Sequence, residues 1–500
     1  MSAFCDVGKR KTVIGSPPGT GLRAKKSIIL RKRVIIMASK SKKIIALLMT
    51  AMMAATAMAG CTGGGDDEEG GASAAPVVQP SQQAMQKLSL DSEEDVTTIK
   101  NKMAEEAAAN GGTITLRMWC ASDDKQFETS LVDEFKTKFA DSRYTFNITT
   151  VVKGEDQAGG KVVEAPTKAA DVFSFADDQL SDLLQAGAIA KVSGVYAADI
   201  KENNSEDAIG VSSSGGELYA YPKTSDNGFF MYYDKTIFSD DDVKDMDTMI
   251  AKAQAAGKSV FFNLGDAWYN TGFFFTAGCT IKYENGKQTA TFGTPEGLSA
   301  AKAMSHIAEN VDKGFIGTPG TMGNNAFVSQ GFAEGKLAAA VIGTWMGPDI
   351  KKSLGKDNVG AAKLPTVLMD GQQKQLDAFG GYKLVGVNVN SKCSFSAQTL
   401  AYYLTCEASQ IKRYETRGLI PTNTKAAAND EIKSDPAFKA IADQKEGGHS
   451  HAQGQSVGAK YWGAGVDSVG SQIVTSKGTL PDSKLEELLK GAQQNAEEGS

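Results

Sequence analysis

Thr113-Ile114-Thr115-Leu116-Arg117-Met118-Trp119 is a half-alternating apolar run, the pattern of a strand that lays one face on a core. Immediately downstream, Phe127, Leu131, Phe135 and Phe139 recur at helical spacing, so an amphipathic helix follows the strand. A second strand is expected over 144–152 and a short third one over 171–174. Strands alternating with helices predict an α/β layout built on a parallel-type sheet. The pattern recurs after residue 228. Strands are expected at 229–233, 259–263, 338–342, 360–364 and 384–390, and helices at 298–310, 396–416, 435–444, 463–475 and 483–497. No exact internal repeat accompanies it.

Upstream of the strand, Asp91-Ser92 can cap a helix over 91–109 that carries Val96, Ile99 and Met103 on one face and stops at Gly111-Gly112. Residues 62–83 are Gly, Ser, Ala, Pro, Gln and acid with almost no large apolar group, the composition of a flexible linker. Before them come Lys40-Ser41-Lys42-Lys43, an uncharged stretch at 44–59 and the run Ala57-Met58-Ala59-Gly60-Cys61. A basic start, an apolar middle and small residues at the cut describe a signal peptide. The stretch is short of the about 20 residues a spanning helix needs. A cysteine at the cut resembles the lipobox of bacterial lipoproteins, in which the thiol is lipidated. Residues 1–36 therefore read as a non-native upstream extension ahead of Met37, 37–60 as a lipoprotein signal peptide, 61–90 as a flexible tether and 91–112 as an extra helix.

Charge narrows the partners. The chain holds 53 Lys and Arg against 59 Asp and Glu. Without residues 1–60 these become 41 and 58, a net charge of −17. So acidic a body repels nucleic acid and anionic lipid. The cysteines beyond Cys61 are Cys120, Cys279, Cys393 and Cys406. None forms a Cys-x-x-Cys pair, so neither zinc nor thioredoxin-like chemistry is expected. Each sits among apolar or small residues and is expected to be a buried thiol. No phosphate-binding loop is present either.

Seven stretches in one order resemble the maltose/maltodextrin-binding group of the extracellular solute-binding proteins of ABC importers. They are the strand ending at Trp119 with its helix; Ala170-Asp171-Val172-Phe173-Ser174-Phe175-Ala176-Asp177-Asp178 with Leu184-Gln185-Ala186-Gly187-Ala188-Ile189-Ala190; and Gly216-Glu217-Leu218-Tyr219-Ala220-Tyr221-Pro222 leading to Tyr232-Tyr233-Asp234-Lys235. Next are Phe261-Phe262-Asn263-Leu264-Gly265-Asp266-Ala267-Trp268-Tyr269, then Phe332-Ala333-Glu334-Gly335-Lys336-Leu337-Ala338-Ala339-Ala340-Val341-Ile342-Gly343-Thr344-Trp345. Lys363-Leu364-Pro365 and Tyr461-Trp462 complete the series. The resemblance implies an α/β, two-lobed periplasmic-binding-protein-like fold, with the ligand cleft between lobes joined by crossing hinge strands. It places the N-lobe at 113–226 plus 383–435 and the C-lobe at 227–382 plus 440–500. Crossings are expected near 226–228, near 380–382 and at 435–449. The glycines at the first two can serve a hinge or be plain turn residues.

The resemblance also implies a carbohydrate ligand, and the residue types fit one. Aromatic faces cover the apolar faces of a pyranose, and carboxylates and amides bond its hydroxyls. In the family, the loop after the third strand supplies a stacking Trp, an Asp and an Arg. Here Phe175 stands for the Trp, Asp178 matches the Asp and Gln179 replaces the Arg. Asp178, with Asp177, can equally cap the next helix. Asp266, Trp268 and Tyr269 match an acid and two aromatics, with Asp one methylene short of the family's Glu. Asp226 falls where the family keeps a hydroxyl-binding Glu. Trp345 and Trp462 match the two stacking tryptophans of the second lobe. Asp123, Asp124 and Lys125 fall in the first loop, where the family uses one Asp and one Lys, and either Asp can correspond. Trp119 belongs to the strand pattern and is expected to pack.

The implied function is that of a membrane-anchored extracellular substrate-binding component, not an enzyme and without cofactor. It is expected to be a monomer that takes a maltodextrin-like oligosaccharide, is held by lipid on Cys61 at the outer face of the bacterial membrane, and serves an ABC permease. Polyamine, ferric iron and peptide are the alternative ligands within this class. A secreted glycosidase would need two facing carboxyls, and no Glu lies in the candidate loops. His449-Ser450-His451 can offer two nitrogens to a metal, but no third ligand is near in sequence.

Overall fold

In the computed structural model, the described residues are 87–284 and 286–498. The expected upstream extension, signal peptide, Cys61 and nearly all of the tether lie outside them. Twelve strands organise the body. β1 (Thr113–Cys120), β2 (Thr145–Val152), β3 (Val172–Ala176) and β4 (Tyr221–Thr224) precede the first crossing. β5 (Phe230–Asp234), β6 (Ser259–Phe261), β7 (Phe315–Ile316), β8 (Leu337–Ile342) and β9 (Val359–Ala362) follow it. β10 (Ala378–Gly380), β11 (Lys383–Val387) and β12 (Ser450–Ala452) come last.

The strands build two five-stranded sheets, ordered β2-β1-β3-β11-β4 and β7-β6-β8-β5-β9. In the first, β1 runs parallel to β2 and β3, while β11 is antiparallel to β3 and β4. In the second, β6 is parallel to β7 and β8, and β5 is antiparallel to β8 and β9. Each sheet is therefore mixed, four strands running one way and a single strand, β11 in the first and β5 in the second, running against them. The reversed strands are those at which the chain changes lobe: β11 re-enters the first sheet 159 positions after β4 ends, and β5 starts the second sheet directly after the first crossing.

Each sheet has its own apolar filling. One core gathers 229–379 with residues from 437 onward, including Phe261, Phe274, Val341, Phe379 and Ile473. The other lobe holds two clusters, around Phe135, Tyr196 and Leu400 and around Phe173, Phe175 and Leu384. The chain thus changes lobe between β4 and β5, between β10 and β11, and again between Asn423, bridged to Asn204, and Ala437 in the other core. At the first crossing glycine is required by space: a Cβ on Gly228 would lie 2.8 Å from the Phe379 carbonyl oxygen.

Helix α1 (Glu93–Ala108) starts on the Ser92 cap and buries Ile99, Met103 and Ala107. It is a brace of the first lobe. Its Glu106 carboxylate accepts from the Phe395 and Ser396 N–H groups at the start of α6 (Ser394–Thr405), orphan donors of a helix N-terminus. Four more helices frame the site: α2 (Lys125–Lys138), α3 (Glu206–Val211), α4 (Ala267–Ala277) and α5 (Asn324–Ala333). Helix α7 (Pro436–Glu446) packs on the second lobe.

β10 pairs with β12, so two crossing segments are hydrogen-bonded to one another. His449 immediately precedes β12, and His451 lies within it, opposite Phe379. Their ring nitrogens lie 2.7 and 2.8 Å from the two oxygens of Asp377, and the His451 ring stacks on Phe275 at 3.8 Å. Among the described residues, no group of three His, Cys, Asp or Glu is placed to hold a metal. Cys120, Cys279, Cys393 and Cys406 are free thiols, the first three buried. No described helix is long and apolar enough to cross a membrane.

Candidate functional site

The cleft is assembled from loops at the strand ends of both sheets, where open α/β sheets place ligands. On the second lobe, the turn after β6 ends in Asp266, the N-cap of α4. Its Oδ1 accepts from the Trp268 N–H at 2.9 Å and its Oδ2 from Asn324 Nδ2 at 3.0 Å. Capping thus fixes where Trp268 leaves the backbone. Trp268 stacks on Phe379 (5.2 Å, 16°) and leans on Trp462 (6.1 Å, 54°). Burial lifts the Asp266 carboxyl above the ordinary carboxylate range, against the pull of its two donors.

Trp462 reaches the other lobe, its Nε1 donating to Asp178 Oδ2 at 3.3 Å. Trp345 follows β8 in a single 3-10 turn. Its Nε1 donates to Asn325 Oδ1 at 3.0 Å, and Asn325 Nδ2 in turn donates to Asp123 Oδ2 at 3.1 Å. Lys383, on β11, holds its ammonium 5.7 Å from the centre of the Trp345 ring, within cation–π range. Trp268, Trp345 and Trp462 are each half-buried against the second core. The cleft therefore holds three partly open tryptophans, with Asp123 and Asp178 facing them from the first lobe.

Several expected site residues lie elsewhere. Phe175 is fully buried in the first lobe, beside Phe173 and opposite Leu384. As β3 is buried at every position, its ring packs in the core and offers no face to a ligand. Gln179 is tied internally, donating to the Glu155 carbonyl and accepting from the Gly159 N–H. Tyr269 points from α4 into the second core against Phe229. Asp226 is a tie between lobes: its Oδ2 accepts from Thr344 Oγ1 on one side and the Ile420 N–H on the other. Burial raises its pKa despite these donors. In the first loop the two acids separate. Asp123 is exposed at the cleft, whereas Asp124 is buried in ion pairs with Lys223 and Arg417. Lys125 is exposed at the start of α2.

The residues that sequence reasoning missed are amides. Asn263, Asn324 and Asn325 form a chain in which Asn263 Nδ2 donates to Asn324 Oδ1 at 2.8 Å and Asn324 donates on to Asp266. The pair 324–325 opens α5 after Gly323. A Gly-Asn-Asn step before a helix reads as a plain helix start, and the only further signal is its place after the short strand β7.

Two α/β lobes with separate cores, three crossings and a tryptophan-lined cleft define a two-lobed binding protein. The sequence pattern of the family described as bacterial extracellular solute-binding protein matches residues 130–440, and the chain belongs to that family. Among curated relatives, a maltooligosaccharide ABC transporter solute-binding lipoprotein of Streptococcus pneumoniae is 25% identical over 333 residues, covering 62% of this chain and 77% of its own length. The maltodextrin-binding protein of Bacillus subtilis is 24% identical over 357 residues, 65% of this chain and 80% of its own. A solved structure with acarbose superimposes at a TM-score of 0.67 with 29% identity, covering 77% of this chain and 99% of that one. The unliganded maltodextrin-binding protein of L. casei BL23 does so at 0.62 with 26% identity and the same coverage.

Proposed function

We propose that this protein captures a maltodextrin-type oligosaccharide between its lobes and presents it to the permease of an ABC importer. In this reading it acts by binding and not by catalysis, as a monomer held at the outer face of the membrane by lipid on Cys61. The observation that carries the proposal is the trio Trp268, Trp345 and Trp462 opposite Asp123 and Asp178. Ring faces suit sugar C–H surfaces, and carboxylates and amides suit hydroxyls. The relatives named for maltooligosaccharide and maltodextrin support the same ligand class. A sugar that touches both lobes favours the closed form by its differential contacts.

Calorimetric titration of the full chain with maltotriose and maltotetraose tests this. Binding is expected, and Trp345→Ala is expected to weaken it. One ring face covers roughly 80 Å² of sugar, which at ~25 cal/mol per Å² is about 2 kcal/mol, or ~30-fold in Kd. An unchanged Kd in Trp345→Ala would remove Trp345 from the site. Silence with glucans, alongside binding of spermidine or ferric iron, would overturn the sugar.

A further inference from the structure

Apart from the tryptophan cleft, the two lobes enclose a second cavity of about 960 Å³. α3 and the segment 180–184 of the first lobe line one wall, α7 the other, and all three crossings contribute. None of Trp268, Trp345, Trp462, Asp226 or Asp266 lines it, and only Asp178 is shared with the cleft. Its polar groups are unbalanced. Asp177, Asp178, Glu206 and Asp207 face a single base, Lys445, and that ammonium is engaged by Asp207.

The decisive group is Asp177. It is 5% exposed, and neither carboxylate oxygen has a hydrogen-bond partner. Its position is over-determined: its own N–H donates to the Tyr382 carbonyl at 3.1 Å, and a Cβ on Gly381 would come within 2.9 Å of Oδ1. Asp178 Oδ1, next to it, also lacks a partner. A buried carboxyl short of well-aligned donors is costly, and in a native fold such a group calls for a partner that supplies them. Burial first, then the neighbouring Asp178, push the Asp177 carboxyl up to about 8, with nearby backbone N–H groups opposing only in part. An ammonium placed there would bring up to three donors and the opposite charge. The apolar remainder of the wall, Leu184, Ile441 and Phe438 among it, would cover a hydrocarbon body.

We infer that this second cavity is a binding site for a small organic cation, an amine with an apolar body whose ammonium pairs with Asp177 and Asp178. The inference does not depend on the sugar reading, and its test uses no sugar. The full chain is titrated calorimetrically with phenethylamine and, in parallel, with the uncharged isostere 2-phenylethanol. The amine is expected to bind and the alcohol to bind at least about tenfold more weakly. Asp177→Asn is expected to cost the amine at least about tenfold in Kd. Ala442→Trp, which fills the cavity from the face of α7 that lines it, is expected to abolish binding, with circular dichroism showing both variants folded. No amine heat up to about 10 mM, equal affinity for the alcohol, or an unchanged Kd in Asp177→Asn would each overturn the site.

Discussion

Replacing Lys223 by Met tests how the first lobe supports the cleft. Lys223 is 1% exposed on β4. Its ammonium lies 2.9 Å from Glu128, 3.0 Å from Glu155 and 3.5 Å from Asp124, and donates to Ser174 Oγ at 3.1 Å. Burial works against its charge, but Glu128, Glu155 and Asp124 outweigh that and leave its pKa raised. Methionine comes close to the stem in volume and removes the charge together with the hydrogen bonds it donates. Breaking a buried ion pair by deleting one partner costs about 3–5 kcal/mol, because the other charge stays buried. Each acid here keeps a second cation: Arg413 on Glu128 (3.2 Å), Lys383 on Glu155 (2.7 Å) and Arg417 on Asp124 (2.9 Å). The expected loss is therefore at the low end, about 3 kcal/mol, and not three times that. Urea unfolding of the unliganded protein measures it, as a lower midpoint at unchanged slope. Lys302→Met is the control, since the Lys302–Asp482 pair is 57% exposed on both sides and is worth at most about 1 kcal/mol. A loss under about 1 kcal/mol in Lys223→Met, equal to the control, would refute the claim that the cluster is a network of buried charges.

Burial pushes both the Cys120 and Cys279 thiols up to about 12, so the native protein at pH 8 is expected to resist a thiol-reactive disulfide reagent at these two sites. Rapid labelling of either in the folded state, read by peptide mass, would contradict their burial. Asp177 and Asp178 are held at about 8 and about 7, chiefly by burial, well above the ~3.9 of an unfolded aspartate. Folding then binds protons, so stability is fully present below about pH 4 and falls as pH rises towards 8. Asp177→Asn is expected to gain melting temperature relative to wild type at pH 8 compared with pH 5, and a difference independent of pH would refute the assignment.

The fold was legible because its signals are periodic. The alternation at 113–119 and the helical spacing of Phe127 to Phe139 became β1 and α2 almost to the residue. The one reversed strand in each sheet, β11 and β5, was not legible, since a strand's direction depends on where the chain returns and not on its own residues. The site was legible in part. The three tryptophans stand out as large aromatics in loops, but Phe175 and Tyr269 show the limit of that signal. Both follow the same strand-to-loop grammar, yet one more position along β3 or α4 turns a ring from cleft to core. Asp123 and Asp124 are adjacent and identical in type. Only packing against Lys223 and Arg417 separates a cleft acid from a buried ion.

Several polar groups of the cleft already bond one another across the lobes. Asp178 takes the Trp462 N–H, and Asp123 reaches Trp345 through Asn325. A ligand entering between them exchanges these bonds for its own, so only the surplus appears as affinity. The existing hydrogen bonds of Trp345 and Trp462 are made by their N–H edges, so a sugar on a ring face displaces at most the Lys383 ammonium over Trp345. On the proposed function, the tryptophans would supply affinity, while Asp123, Asp178 and Asn325 would select among sugars by whether a hydroxyl replaces each broken bond. Asp266 contributes one step removed. Both of its oxygens are occupied by Trp268 and Asn324, so its charge acts by fixing an amide and a ring, and a carboxylate one methylene longer would release that hold.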